Sequence, residues 1–214
     1  MNVFKNPDTA NNYDAYYQTE LGKKVDEIEK RIISNLIKDM PRYPMLELGC
    51  GTGHWSAFFI EEGFKLTGID ISKAMLRLAK QKDINADFYI ANAQKLPFNS
   101  DSFQIVSSIT MLEFVEDRDK VLLEIYRILK PGGWVILGCL NANSILAGRK
   151  EQDETFKYAH FLTPEEITEG LKIFGIPVLD SGVYLTQDFE LLDDTNDAGN
   201  VEPAFIAAIV QKNK

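Results

Sequence analysis

Short apolar runs alternate along this chain with segments whose apolar residues return every three or four positions. Leu21, Val25, Ile28, Ile32 and Leu36 recur at helical spacing and predict an amphipathic helix ahead of the first strand. Strands are predicted at 45–48, 65–70, 87–90, 104–109 and 134–140, with helices at 55–62, 73–81 and 117–129 between them. That alternation implies a parallel sheet covered on both faces. Ser72 suits the N-cap of the 73–81 helix. Pro131-Gly132-Gly133 should end the 117–129 helix and turn the chain into the fifth strand. In Thr163-Pro164-Glu165-Glu166, threonine caps, proline takes the first helical position and Glu166 completes a capping box, so a helix should run to about 174. Runs 178–184 and 204–211 follow as two more strands, and no repeat or linker divides the chain.

The densest chemistry lies at the end of the first strand. Leu46-Glu47-Leu48-Gly49-Cys50-Gly51-Thr52-Gly53 joins a buried strand, an acid and three alternating glycines. Glycine there permits unusual backbone angles and lets a ligand approach the main chain. Asp70 ends the next apolar run, at roughly the 20-residue distance of an acid that binds ribose hydroxyls. A nucleoside-bearing ligand is implied. The dinucleotide fingerprint needs its third glycine where this chain has His54, and the last glycine falls one place early, at Gly53. Glu47, just before the first glycine, suits a cationic ligand better than a pyrophosphate.

This arrangement resembles motif I of the class I S-adenosylmethionine (SAM)-dependent methyltransferases. Two further blocks are similar to that family and keep its order. One is Ala91-Asn92-Ala93-Gln94-Lys95-Leu96-Pro97-Phe98 with Asp101-Ser102-Phe103-Gln104-Ile105-Val106, and the other runs from Glu124 to Gly133. The resemblance covers about Met45 to Leu140 and is nearest the small-molecule branch that includes quinone-biosynthesis enzymes. It implies a Rossmann-like α/β fold: a seven-stranded, mostly parallel sheet, helices on both faces, an antiparallel C-terminal edge hairpin and extra N-terminal helices. One domain over 1–214 is expected, with 1–40 as a helical cap and 141–162 as a lid.

Carried over residue by residue, the resemblance implies a SAM site of Glu47, Gly49, Cys50, Gly51, Thr52, Gly53, Asp70, Ile71, Met75, Asn92, Ala93, Gln94, Ile109 and Thr110. The glycine backbone would pass beneath the methionine chain and ribose, and Glu47 would lie near the α-amino group, directly or through water. Asp70 would accept from both ribose hydroxyls, at about 1.5–3 kcal/mol per well-made charge-assisted bond. Ile71 would pack on adenine. Asn92 stands where the family usually has aspartate, and its amide oxygen still accepts from the adenine amino group. Gln104 likewise replaces an aspartate taken to buttress the glycine loop. His54 reads as structural and Cys50 as an unreactive spacer.

Composition narrows the partners. Net charge is −9 over 214 residues, with no concentrated basic stripe, so nucleic acid is disfavoured and a small-molecule substrate expected. No signal peptide and no apolar membrane span is seen, which suggests a cytoplasmic protein. Two cysteines, Cys50 and Cys139, imply no disulfide framework or metal cluster. The 193–199 loop fails the EF-hand ligand pattern and reads as a solvated connection.

The acceptor side is less sharply marked. Candidate bases are Glu113, His160 and Tyr17, and candidate substrate contacts are Tyr13, Tyr16, Tyr17, Asn141, Asn143, Tyr158 and His160. Glu113 reads as readily as a surface acid. Ile145, Leu146, Phe156, Tyr158 and Phe161 suggest an apolar or aromatic acceptor. Ser107-Ser108-Ile109-Thr110 lacks the Pro-Pro-aromatic signature of enzymes that methylate base or glutamine amino groups. Two readings stay beside the methyltransferase: a SAM- or SAH-binding protein without catalysis, and a nicotinamide-dependent oxidoreductase. Oligomeric state and acceptor atom are left open.

Overall fold

A computed structural model describes residues 3–192 and 199–213. Most of the 193–199 loop therefore lies outside the described residues. The seven strands are β1 (Met45–Leu48), β2 (Leu66–Asp70), β3 (Asp87–Ile90), β4 (Phe103–Ile109), β5 (Leu129–Leu140), β6 (Val178–Gly182) and β7 (Phe205–Gln211), in the order β3-β2-β1-β4-β5-β7-β6. The first five are parallel, and β7 runs antiparallel between β5 and the edge strand β6. The expected architecture is the one observed.

Side chains alternate across this sheet and divide the core into two layers. Leu46, Leu48, Val106, Val135 and Leu137 face α5 (Arg118–Ile128) and α7 (Pro164–Leu171). Met45, Ile105, Ile109 and Ile136 face the opposite way, with α2 (Glu20–Ile37) and α3 (His54–Glu61). The helix α4 (Lys73–Gln81) covers the β2–β3 end, where Cys50, Leu76, Ala79 and Phe88 form a smaller cluster. Ahead of α2 lies α1 (Pro7–Tyr13), and α6 (Ile145–Arg149) follows β5.

Local signals in the sequence behave largely as expected. Ser72 caps α4 through a 3.2 Å bond from Met75 N–H, and Thr163 with Glu166 forms a reciprocal capping box on α7. Glu124 and Arg127, from one of the family-like blocks, fasten α5 to the β3–β4 connection. Glu124 accepts from Leu96 N–H at 2.7 Å, and Arg127 donates to the Phe98 and Leu96 carbonyls.

The structure corrects several boundaries. β5 begins at Leu129 rather than 134, because Pro131-Gly132-Gly133 forms a bulge inside the strand instead of a free turn. The chain's other end holds that bulge. Gly132 N–H donates to the Lys212 carbonyl at 2.9 Å, and the buried Lys212 ammonium donates to the Tyr126 and Leu129 carbonyls where α5 ends. α7 stops at Leu171, and Phe174 is instead a fully buried core residue. The buried stripe of α2 is Val25, Glu29, Ile32, Ile33 and Ile37, rotated from the predicted one; Leu21, Ile28 and Leu36 flank it. Replacing Thr163 by Ala removes one half of the capping box and should lower stability by about 1 kcal/mol. Phe59→Ala empties a fully buried position and should cost about 3–5 kcal/mol; urea denaturation measures both.

Candidate functional site

Strand order reverses between β2 and β4, on either side of β1, so a crevice opens beyond the carboxyl ends of these strands. The glycine loop forms its floor. As the chain leaves β1, Gly49 and Cys50 both donate to the Ile69 carbonyl, at 2.8 and 3.0 Å. Gly49 has φ +69°, and a Cβ there would stand 2.3 Å from Met111 Cγ. Gly51 has φ +55°, yet a Cβ on it would meet nothing within 4 Å. Its main chain is bare toward open space, as close ligand approach requires.

Asp70 ties this loop to the next one. Its Oδ2 accepts from Gly51 N–H at 3.0 Å and its Oδ1 from Ser72 N–H at 2.7 Å. Burial raises its pKa, and the backbone donors at Ser72, Gly51 and Ile71 offset part of that rise. Thr110, at the end of β4, holds φ +48°, a costly angle for a β-branched residue.

A cavity of about 630 Å³ opens over these groups, within the 300–1,000 Å³ range of small-molecule and cofactor sites. Its wall brings together Gly49, Gly51, Asp70, Ile71, Met75, Asn92, Ala93, Gln94, Ile109 and Thr110 from the expected cofactor set. Tyr13, Tyr158 and His160 join them from the acceptor candidates. Asn92 Oδ1 already accepts from Gln94 N–H at 2.9 Å, which shapes the loop and leaves the amide NH₂ as its free donor group.

Other expected residues stand behind the wall. Glu47 is buried on the α3 face of β1 and accepts from the Ser56 hydroxyl; burial lifts its pKa to about 7. Cys50 packs under α4, where burial pushes its thiol well up, in keeping with an inert spacer. Thr52 donates to Asp14 at 2.6 Å and accepts from Lys82 at 3.0 Å, joining the loop to the segment after α1. Gly53 is the N-cap of α3, at φ +80°.

The acceptor candidates divide more sharply. Glu113 is fully buried, not a surface acid: its Oε1 accepts from Leu140 N–H at 2.6 Å, and burial lifts its pKa to about 7. Tyr17 stacks on His54 with centroids 3.6 Å apart, and burial pushes its phenol far above neutral pH, which unsuits it as a base. His54 in turn meets Asp26 at 2.7 Å, a structural role. Tyr16 is 45% exposed and lies off the cavity. Asn141 spends its side chain on the backbone, donating to the Pro203 carbonyl and accepting from Asn143 N–H.

Register and packing decide two further points. Pairing of Met45 with Ile105 puts Gln104 at the amino ends of the parallel strands, so it cannot buttress a loop at their carboxyl ends. Of Ile145, Leu146, Phe156, Tyr158 and Phe161, expected around the acceptor, only Tyr158 reaches the cavity. Phe156, Phe161 and Leu146 pack with Leu140 and Ala159 in a satellite cluster, and Ile145 joins the α2-side core.

Several wall residues were missed from sequence: Phe4, Lys5, Met111, Phe114, Val115 and Glu116. Phe4 sets its ring edge-on to Phe114, centroids 4.8 Å apart, and its carbonyl accepts from the Ser72 hydroxyl at 2.6 Å. This draws the N-terminal segment across the cavity mouth. A lone aromatic in a polar leader carries no periodic signal, whereas Met111 could have been foreseen as the residue facing the glycine loop.

Comparison with known proteins supports this geometry. The family model described as a methyltransferase domain matches residues 46–137. An uncharacterized protein of Methanocaldococcus jannaschii is 30% identical over 217 residues, covering 99% of this chain and 100% of that one. The chain belongs to the class I SAM-dependent methyltransferases. Among other members, a ubiquinone biosynthesis O-methyltransferase of Coxiella burnetii is 26% identical over 170 residues, 71% of this chain and 73% of that one. A Thermotoga maritima structure described as a SAM-dependent methyltransferase, "possible histamine N-methyltransferase", shares the fold. Its TM-score is 0.77 at 23% identity, with 97% of each chain covered.

Buried acids give this family member a distinctive pH response. Glu47 and Glu113 titrate near 7 and Glu29, on α2, near 8, all lifted by burial from about 4.5. Between 4.5 and 8 the folded chain keeps protons that the unfolded chain has released. Their stabilisation is complete below about 4.5 and is lost as pH rises through 7 to 8. Each tenfold change in proton affinity is worth about 1.4 kcal/mol, so the ligand-free protein should lose at least about 3 kcal/mol between roughly pH 5.5 and 8.5. Urea midpoints across that range check this, and Glu29→Gln should flatten the profile.

Proposed function

We propose that this chain transfers a methyl group from S-adenosylmethionine to a small-molecule acceptor and releases S-adenosylhomocysteine. The observation that carries the reading is Asp70, half-buried at the cavity wall, its Oδ2 accepting from the Gly51 N–H. Its carboxylate edge toward the cavity takes the vicinal ribose hydroxyls, and Ile71 and Met75 pack on the base. Asn92 reads the adenine edge with its amide. Glu47 stands one layer behind the glycine loop, so its charge acts on the α-amino group through water. When bound, S-adenosylmethionine supplies an electrophilic methyl group on a sulfonium. The protein's task is to orient the acceptor, exclude water and accept a proton where the acceptor carries one.

Residues 1–40 act as the cap, since Phe4 and Tyr13 lie on the wall, and 141–162 act as the lid that brings Tyr158 and His160. No helix among the described residues is long and apolar enough to cross a membrane. A nicotinamide reading is disfavoured because His54, where a third glycine would be needed, is held in its stack with Tyr17.

Calorimetric titration tests the reading. S-adenosylhomocysteine should bind and NAD should not, and Asp70→Ala should weaken the former at least 10-fold. Binding of NAD alone, or undiminished S-adenosylhomocysteine affinity in Asp70→Ala, overturns it. Transfer of label from methyl-labelled donor to a metabolite extract distinguishes an enzyme from a binding protein.

A further inference from the structure

The segment 158–162 runs beside the end of β5 and presents one imidazole to the cavity. Ala159 has extended angles, φ −85° and ψ 145°, so side chains alternate across this stretch. Ala159 and Phe161 are buried in the satellite cluster with Leu140, while Tyr158 and His160 take the other side and line the cavity. Main-chain bonds fix that alternation. His160 N–H donates to the Glu113 carbonyl at 2.8 Å, and Leu162 N–H to the Leu140 carbonyl at 3.0 Å. The Lys150 ammonium donates to the Ala159 carbonyl at 2.7 Å. Glu113 secures the same junction twice, because its Oε1 also accepts from Leu140 N–H at 2.6 Å. Since Glu113 is wholly buried, His160 hangs from a point fixed in the core.

Other titratable groups on the wall are unsuited to taking a proton. Asp70 has both carboxylate oxygens on backbone N–H groups. Burial pushes the Tyr13 phenol up, and Tyr158 is a second phenol, with the Lys157 ammonium 5.3 Å from its ring centre. Glu116 offers a carboxylate, a weaker base than imidazole. Lys5 brings an ammonium, which makes no ion pair among the described residues. The His160 ring likewise makes no hydrogen bond among those residues, so its nitrogens are available, and imidazole is the side chain suited to proton transfer near neutral pH. His54, the chain's other histidine, is held by Asp26 and Tyr17.

We propose that His160 is the general base of the transfer, and that the acceptor is a weak acid reacting through a hydroxyl or thiol. This rests on the methyltransferase reading above. A neutral ring nitrogen of His160 takes the proton of the acceptor's O–H or S–H. The freed electron pair bonds the methyl carbon while the carbon–sulfur bond breaks, and that bond's pair stays on the sulfur of the thioether product. The imidazolium then returns its proton to water on the exposed side of His160. Lys5 favours the acceptor's developing negative charge, and Glu116 partly offsets it.

The test incubates the full chain with methyl-labelled S-adenosylmethionine and a cell metabolite extract, and reads the products by NMR. Chemical shifts separate methyl groups on oxygen, sulfur, nitrogen and carbon, and the label should appear on oxygen or sulfur. With that product as readout, kcat/KM should rise with pH through a single limb near neutrality. His160→Gln should lower kcat about 100-fold and remove the limb, with S-adenosylhomocysteine affinity kept within about 2-fold. Imidazole added to His160→Ala should raise its rate about 10-fold. A merely structural role for His160 predicts neither the lost limb nor the rescue. Label on nitrogen or carbon, no labelled product with the donor bound, an unchanged pH profile in His160→Gln, or absence of rescue overturns the proposal. Failure of S-adenosylhomocysteine itself to bind overturns the methyltransferase reading instead.

Discussion

The site depends on one carboxylate joining two turns. Asp70 accepts from Gly51 on the loop after β1 and from Ser72 on the loop after β2. Neither loop could hold its shape alone, because each leaves the sheet through main-chain donors that need an acceptor. With that acceptor in place, the glycine loop presents open backbone to the cavity, Ser72 caps α4, and the Ser72 hydroxyl draws in the Phe4 carbonyl. Floor, wall and N-terminal strap thus share one anchor.

Around this anchor the protein places unusual amounts of buried acid. Glu29, Glu47 and Glu113 are each removed from water, and all three are lifted toward neutral pH by desolvation. Such groups weaken a fold when ionised, which is why its stability falls as pH rises through neutrality. Glu47 lies behind the glycine loop bonded to Ser56, Glu29 on the buried stripe of α2, and Glu113 against the end of β5.

Much of the fold was readable from the order of residues. Strand positions, the capping box at Thr163, and the glycine loop with Asp70 all depend on neighbours in sequence or on a single alternating pattern. Misreadings fall where partners are distant. The bulge at Pro131-Gly132-Gly133 exists because Lys212, from the far end of the chain, pairs with it. Glu113 looked as suited to the surface as to the interior, since a short acidic segment reads alike in both.

Sequence alone determined the periodicities, the caps and the glycine–acid spacing, because those follow from backbone geometry within one or two turns of chain. It thereby set the α/β architecture and the nucleoside character of the site. Only the tertiary structure decided that Phe4 crosses to Phe114, that Tyr17 is locked against His54, and that Glu113 is buried against Leu140 N–H. Those juxtapositions join residues tens of positions apart through sheet order and packing, and no local pattern of apolar and polar residues encodes them.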